Sequence, residues 1–511
     1  MELDANNCYE AIRARDTRFD GCFFVGVSTT GIYCRPICPA RTPARDRCRF
    51  FATAAAAEQA GFRPCLRCRP ELAPGIAPAV APVDSVRTAA RWLAARIETG
   101  ALNDADLERL AAEYGLSSRQ MRRALLAEYG VTPIELAQTR RLLLAKQLLT
   151  DTTLPMARVA HASGFASVRR FNAAFQTRYR LNPSALRRQS ALPVARGRAL
   201  TNGQEGAPPA ADGEALTLRL SYRPPLAWEP LVGFLVGRGA LGVETALPAP
   251  TGTRYLRVVT LDGPAGLCRG WFSVEPMARQ NMLRVRVAMS LLPVLTPLLA
   301  RVRRMLDLDA NPQVIDTQLG VDPQLRALVR RRPGLRVPGA FDGFELALRA
   351  VLGQQITVKA ATTLFGRFAA AFGESVVTPF EGLKLCGPSA AQVANASVAQ
   401  LAKLGVPRQR AETVARLARE AADGRLRFDR GADVEATLAQ LQALPGIGPW
   451  TAHYIAMRAL RFSDAFPPGD LGLLRALDLT DVKRLATRAE AWRPWRAYAA
   501  IHLWTHRQAG G

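Results

Sequence analysis

Two spacer segments constrain the fold of this 511-residue chain more than any other feature. Residues 72–83 read LAPGIAPAVAPV, and residues 191–213 are rich in Gly, Pro, Ala and small polar side chains. Neither offers a periodic apolar face, and such compositions act as spacers rather than core. One continuous core is therefore excluded. The spacers leave a cysteine-rich head, a middle with helical periodicity and a long C-terminal half. At roughly 100–200 residues per domain, three or four domains are expected.

The charge balance narrows the partners. Lys and Arg number 68 against 43 Asp and Glu, for a net charge of +25. A protein this basic is expected to meet a polyanion, with nucleic acid ahead of an acidic membrane surface. An Arg- and Ala-rich composition produces part of the same excess. The first 20 residues are polar, and no run of 18 apolar residues occurs, so a cytoplasmic chain without a membrane partner is expected.

Seven of the nine cysteines lie in the first 68 residues. Cys34-x3-Cys38 and Cys65-x2-Cys68 form two tight pairs with 26 residues between them. Four thiolates at this spacing suit a tetrahedral Zn2+ site. A purely structural zinc knuckle has the same spacing. Cys8, Cys22 and Cys48 match no ligand position and read as packing residues.

The flanks GIYCRPICPAR and GFRPCLRC, with Asp20-Gly21, Thr29-Thr30-Gly31 and Phe50, resemble the N-terminal domain of the Ada adaptive-response regulators over about residues 1–72. The resemblance implies that Cys34, the first cysteine of the first pair, takes a methyl group from a DNA phosphotriester. Zinc keeps a coordinated cysteine deprotonated at neutral pH, and methylation removes one negative charge beside a DNA phosphate. Arg35, Arg41, Arg63 and Arg67 surround the ligands and are candidates for holding phosphates.

The middle, residues 84–189, repeats one pattern. Leu107 to Tyr114, Gly115 and Ser117 to Tyr129 read as helix, tight turn, helix, with Ser117 as N-cap. Met156 to Ser163, Gly164 and Ser167 to Tyr179 repeat it, and the two Ala-x3-Gly turns lie 49 residues apart. A doubled helix-turn-helix reads DNA, although helical bundles show similar spacings. The second copy, Gly164-Phe165-Ala166-Ser167-x3-Phe171-x3-Phe175-x7-Pro183, resembles the AraC-type DNA-binding domain. Phe171 and Phe175 read as core; Arg119, Arg122, Arg169 and Arg170 lie on the candidate recognition helices. Arg180 stands where that family often has Gly. The resemblance to activators implies RNA polymerase as a partner at promoters. The Pro-Cys-His-Arg motif of O6-methylguanine methyltransferases is absent, so that activity is not expected.

The C-terminal half starts with alternating segments, Ala215–Tyr222, Tyr255–Leu261, Cys268–Val274 and Leu283–Val287, read as strands. Beyond about residue 291 it turns helical. Leu444-Pro445-Gly446-Ile447-Gly448-Pro449-Trp450-Thr451-Ala452 reads as a helix-hairpin-helix whose Gly446 and Gly448 expose backbone N–H groups to a phosphate. With Gly353-Gln354-Gln355-Ile356 upstream, Phe466-Pro467-Pro468-Gly469-Asp470 downstream and Trp504 near the end, it resembles the 3-methyladenine DNA glycosylase II (AlkA-type) family over roughly residues 214–507.

That resemblance implies Asp470 as the catalytic carboxylate, Trp450, Tyr454 and Trp504 as the aromatic base pocket, and Gln355 at the wedge position. Asp470 also reads as an N-cap of the helix that follows, and Asp478 and Asp481 are the competing acids. Trp492 and Trp495 read as structural. Trp450 occupies the position where bifunctional relatives carry a Schiff-base Lys, so no lyase step is expected. The fold expectation is multidomain α+β. A zinc domain (1–72) and an all-α double helix-turn-helix domain (84–189) precede a flexible linker (190–213). An α/β subdomain (214–290) and an all-α helix-hairpin-helix domain (291–507) follow. The expected function is repair of, and response to, alkylated double-stranded DNA by a monomer. The alternative is a regulator whose glycosylase-like half is an inactive DNA clamp.

Overall fold

The computed structural model describes residues 4–75, 85–104, 106–191, 215–429 and 432–508. The two spacers fall largely outside these. The chain divides into two compact units: residues 1–222, 261–268 and 282–300 form one, and residues 223–260, 269–281 and 301–511 the other. Among the described residues, no helix is long and apolar enough to cross a membrane.

In the first unit, the head is a four-stranded sheet that periodicity did not reveal because its strands are two to four residues long. These are β1 (Phe24–Val27), β2 (Ile32–Cys34), β3 (Cys48–Phe51) and β4 (Arg63–Pro64), in the order β3-β1-β2-β4. β2 ends on Cys34, which lies opposite Val25 of β1. β4 runs parallel to β2 and leads directly into Cys65. Antiparallel and parallel pairing thus bring the two cysteine pairs to one sheet end. Thr53 caps the short helix Ala54–Gln59 by accepting from the Ala56 amide at 3.0 Å.

The middle is helical throughout its described part. Ser117 forms a capping box with Gln120 at the start of helix Ser118–Tyr129, and Gly115 makes the preceding turn at φ 76°. The 19-residue helix Pro133–Asp151 separates this motif from the second. There helix Met156–Ala162 is followed by Gly164 at φ 90° and by helix Val168–Tyr179, capped by Ser167. Phe171 and Phe175 are fully buried. Arg180 closes this helix at φ 53°, a left-handed conformation that costs an L-residue about 1–2 kcal/mol relative to Gly.

The C-terminal region contains strands β5 (Ala215–Ser221), β6 (Glu244–Ala249), β7 (Gly252–Gly263), β8 (Gly266–Pro276) and β9 (Met282–Ala288). β6 is an addition to the sequence reading; its ETALPA has no clean alternation, and its antiparallel pairing with β7 defines it. In the second unit, Arg257 and Arg349 form a buried ion network with Glu244 and Glu345, with bonds of 2.5–3.0 Å. The helices around the Gly446–Gly448 hairpin pack into two cores, one centred on Phe365 and Phe368, the other on Trp492 and Tyr498.

Candidate functional site

The sulfurs of Cys34, Cys38, Cys65 and Cys68 lie within 4.8 Å of one another. Amide N–H groups of Arg35 and Arg67 donate to the Cys68 and Cys65 sulfurs at 3.3 and 3.4 Å. Four converging sulfurs supported by amide donors fit a tetrahedral Zn2+ site, whose ligands are thiolates that accept such bonds. Cys8 and Cys48 instead lie in the apolar core of the head, where burial pushes the Cys8 thiol up to about 11 and also raises Cys48.

Arg35 departs from its expected role. It is 3% exposed, its guanidinium pairs with the equally buried Asp20, and it donates to the Cys68 carbonyl at 3.1 Å. A cation committed to these partners braces the ligand loop and has no surface for a phosphate. Arg41 and Arg67 are exposed and Arg63 is half-buried. All three line a cleft of about 480 Å³ onto which Cys34 opens. On the helical domain, Arg119, Arg122, Arg169 and Arg170 are all exposed on the second helix of each motif, with Arg122 3.4 Å from Glu108.

The second unit holds a different centre. Asp470 is 8% exposed and ends the loop leading into helix Leu471–Ala476. Its Oδ2 accepts from the Trp450 indole N–H at 2.8 Å. Its Oδ1 accepts from the Trp504 indole N–H at 3.0 Å and from the Leu473 amide at 2.7 Å. Asp470 therefore caps a helix, and the same carboxylate joins the aromatic cluster. A carboxylate offers about four lone-pair directions, so three donors leave Oδ2 with one direction toward a water or a sugar. Asp478 and Asp481 are exposed, and Asp481 caps the next helix.

Trp450 and Tyr454 stack at 5.3 Å between ring centroids with an 8° interplanar angle, and Trp504 lies 6.3 Å from Tyr454. Burial alone would raise the Tyr454 phenol. The guanidiniums of Arg458, which donates to it at 2.7 Å, and Arg238 outweigh that and hold it below its usual value. Trp492 and Trp495 donate to Asp322 and Gln318 and belong to the packing around the second core.

Gly446 has φ 92°, and a Cβ there would meet the Thr413 hydroxyl at 2.2 Å, so the hairpin requires glycine. Gln354 donates to the Gly446 carbonyl at 2.9 Å, which ties the upstream turn to the hairpin. Gln355 is exposed in the left-handed region at φ 58°. One contributor escaped the sequence reading. At Gly472 a Cβ would stand 2.9 Å from Asp470 Oδ1 and 3.4 Å from Trp504. No motif marks it, because its smallness matters only after the helix has turned it toward the carboxylate.

Four family models match in succession. Residues 7–71 match the metal binding domain of Ada and residues 110–189 a helix-turn-helix domain. Residues 217–342 match the AlkA N-terminal domain and residues 348–496 the HhH-GPD superfamily of base excision DNA repair proteins. A probable bifunctional transcriptional activator/DNA repair enzyme AlkA of Mycobacterium tuberculosis is 40% identical over 509 residues, covering 99% of this chain and 97% of that protein. This chain belongs to the AlkA family of bifunctional activator and repair proteins. Its zinc head, helix-turn-helix region and helix-hairpin-helix half unite DNA repair with transcriptional regulation on one DNA-binding chain. Two partial relatives match its two ends. DNA-3-methyladenine glycosylase 2 of Escherichia coli is 35% identical over 56% of this chain and 95% of its own length. The bifunctional transcriptional activator/DNA repair enzyme Ada of Escherichia coli is 38% identical over 24% of this chain and 33% of its own.

Proposed function

We propose that the C-terminal half is a monofunctional glycosylase that releases alkylated bases such as 3-methyladenine and 7-methylguanine, with Asp470 as its catalytic carboxylate. The observation that carries this reading is the pinning of both Asp470 oxygens by separate indole N–H groups. Breaking the C1′–N bond sends its electron pair to the departing base and leaves positive charge on the sugar. A buried carboxylate stabilises that charge without reorganising. The free direction on Oδ2 accepts from the water that adds to C1′ and loses its proton. Trp450, Tyr454 and Trp504 offer electron-rich faces to a flipped cationic base. Gly446 and Gly448 hold a phosphate, and Gln355, projecting from its strained turn, fills the vacated stack. Trp450 in place of a Schiff-base lysine supports hydrolysis without strand cleavage.

In the head, Cys34 is the methyl acceptor. Bound Zn2+ keeps the four sulfurs as thiolates. The Cys34 sulfur attacks the methyl carbon of a phosphotriester, the C–O bond breaks, and a phosphodiester anion departs. Arg41, Arg63 and Arg67 hold the neighbouring phosphates, while Arg35 keeps the ligand loop in place. The methyl group removes one negative charge from the head beside the DNA backbone, and binding tightens. Arg119, Arg122, Arg169 and Arg170 then anchor the helical domain at promoters, with RNA polymerase as partner and a cytoplasmic monomer as the working form.

The test uses the full chain on two substrates. Alkylated duplex DNA should yield free methylated bases and intact strands with abasic sites. A methyl-phosphotriester duplex should add one methyl mass to the Cys34 peptide. Strand breaks before alkali treatment, or label on Cys65 or Cys68, would contradict the respective assignment.

A further inference from the structure

The cleft beside Cys34 has a second wall that the head does not supply. Besides Cys34, Arg41 and Arg67, it is lined by Leu181, Leu186 and Gln189. These follow the second recognition helix, and Gln189 is exposed while Leu186 is buried. Buried polar contacts hold this wall to the head. Glu58, 1% exposed, accepts from the hydroxyls of Tyr33 at 3.0 Å, Thr139 at 2.9 Å and Tyr179 at 3.3 Å. Tyr33 immediately precedes Cys34, and Tyr179 ends the recognition helix, so one carboxylate spans from the acceptor strand to the wall. A second clamp joins Arg69, next to Cys68, to Asp151 at 2.7 Å and Thr150 at 2.8 Å.

We propose that the methyl-phosphotriester subsite is shared between the head and this wall, with Leu181 and Gln189 contacting the DNA strand that carries the lesion. The inference rests on Cys34 being the methyl acceptor. Its chemistry follows from charge. A methylated phosphate is neutral, whereas its neighbours in the strand are anions. The wall beside Cys34 is largely apolar, and its lining cation, Lys146, is buried and committed to Glu71 and the Cys65 carbonyl, so an ordinary phosphate there would lose hydration without a free ion partner. A neutral triester escapes that penalty. Arg41, Arg63 and Arg67 line the same cleft from the head and are placed for the flanking anions. The wall therefore selects the damaged phosphate over the excess of normal ones.

The experiment compares the full-length wild type with Gln189→Glu, Leu181→Asp and Gln189→Lys. Each is presented with a methyl-phosphotriester duplex and, separately, with methyl iodide, and methylation is read from the mass of the Cys34 peptide. Gln189→Glu and Leu181→Asp should slow transfer from DNA at least tenfold and weaken binding of the triester duplex, yet react with methyl iodide within twofold of wild type. Gln189→Lys, which gives the wall a free cation, should let excess undamaged duplex compete at least tenfold more strongly against methyl transfer than it does with wild type. Wild-type transfer rates from DNA in both acidic variants would overturn the shared subsite. So would equal slowing with both methyl donors, which would place the effect on the sulfur itself. A wild type that takes no methyl from DNA would instead refute the assignment of Cys34.

Discussion

Asp470→Asn tests the glycosylase centre most directly, because the structure forecasts two separable effects. Each oxygen of Asp470 faces an N–H donor: Trp450 on one side, Trp504 and Leu473 on the other. An asparagine amide has one oxygen and one NH2 group. Whichever way it is turned, the NH2 group meets a donor, and at least one bond becomes a donor–donor contact. Leaving a buried donor unsatisfied costs about 1–3 kcal/mol, so the C-terminal half should unfold at lower denaturant. Loss of the negative charge removes the partner of the sugar cation, worth about 2–4 kcal/mol in the transition state. At 1.36 kcal/mol per tenfold, excision should slow by about 30- to 900-fold. The assay is single-turnover release of 7-methylguanine with protein in excess, alongside binding to a duplex carrying an abasic-site analogue. Binding should change little, because the proposed phosphate contacts of the hairpin glycines do not involve Asp470. An Asn variant that excises within threefold of wild type would show that another group supplies the charge.

Other consequences separate stability from activity. Gly472→Ala should lower stability modestly, because a Cβ there forces the buried, hydrogen-bonded Asp470 carboxylate to shift. It should slow excision roughly tenfold because the new Cβ presses on Asp470 Oδ1 at 2.9 Å; equal excision rates would refute the positioning argument. Stripping zinc with a chelator should abolish methyl uptake and unfold the head, as structural zinc supplies on the order of 10 kcal/mol. Excision by the other half should stay within twofold, and metal analysis should return one zinc per chain. Glu58 gives a pH signature: burial pushes it up to about 7 from an ordinary 4.5. A raised carboxyl stabilises the fold fully below the unfolded value, and that stability is lost as pH rises through 7. At saturating zinc the first unit should be about 1 kcal/mol less stable at pH 8 than at pH 6. Glu58→Gln should flatten that slope, and an unchanged slope would assign the titration elsewhere.

The elements that sequence made legible are those whose signal is local. The helix cap at Ser117, the turn glycines Gly115 and Gly164, and the period that buries Phe171 and Phe175 depend on neighbours within one or two helical turns. The paired cysteines state their ligand chemistry through spacing alone. The short strands of the head and β6 were silent, because two to six residues carry too little alternation to rise above chance and only pairing partners define them.

Sequence alone therefore determined the order of the parts and the four-cysteine metal set, through residue type at a short spacing, while the candidate carboxylate Asp470 came from the resemblance to AlkA-type glycosylases. Tertiary structure decided which side chains are free to act. Arg35, one of four similar arginines in sequence, is consumed by buried Asp20, while Arg41 and Arg67 remain at the surface. Asp470 and Trp504 are 34 residues apart in the chain but 3.0 Å apart in space. Glu58, unremarkable in an alanine-rich helix, becomes the meeting point of Tyr33, Thr139 and Tyr179. The physical reason is common to all three. Burial and partner choice depend on chain segments far apart in sequence, and a polar group's role is set by what it meets when water is removed.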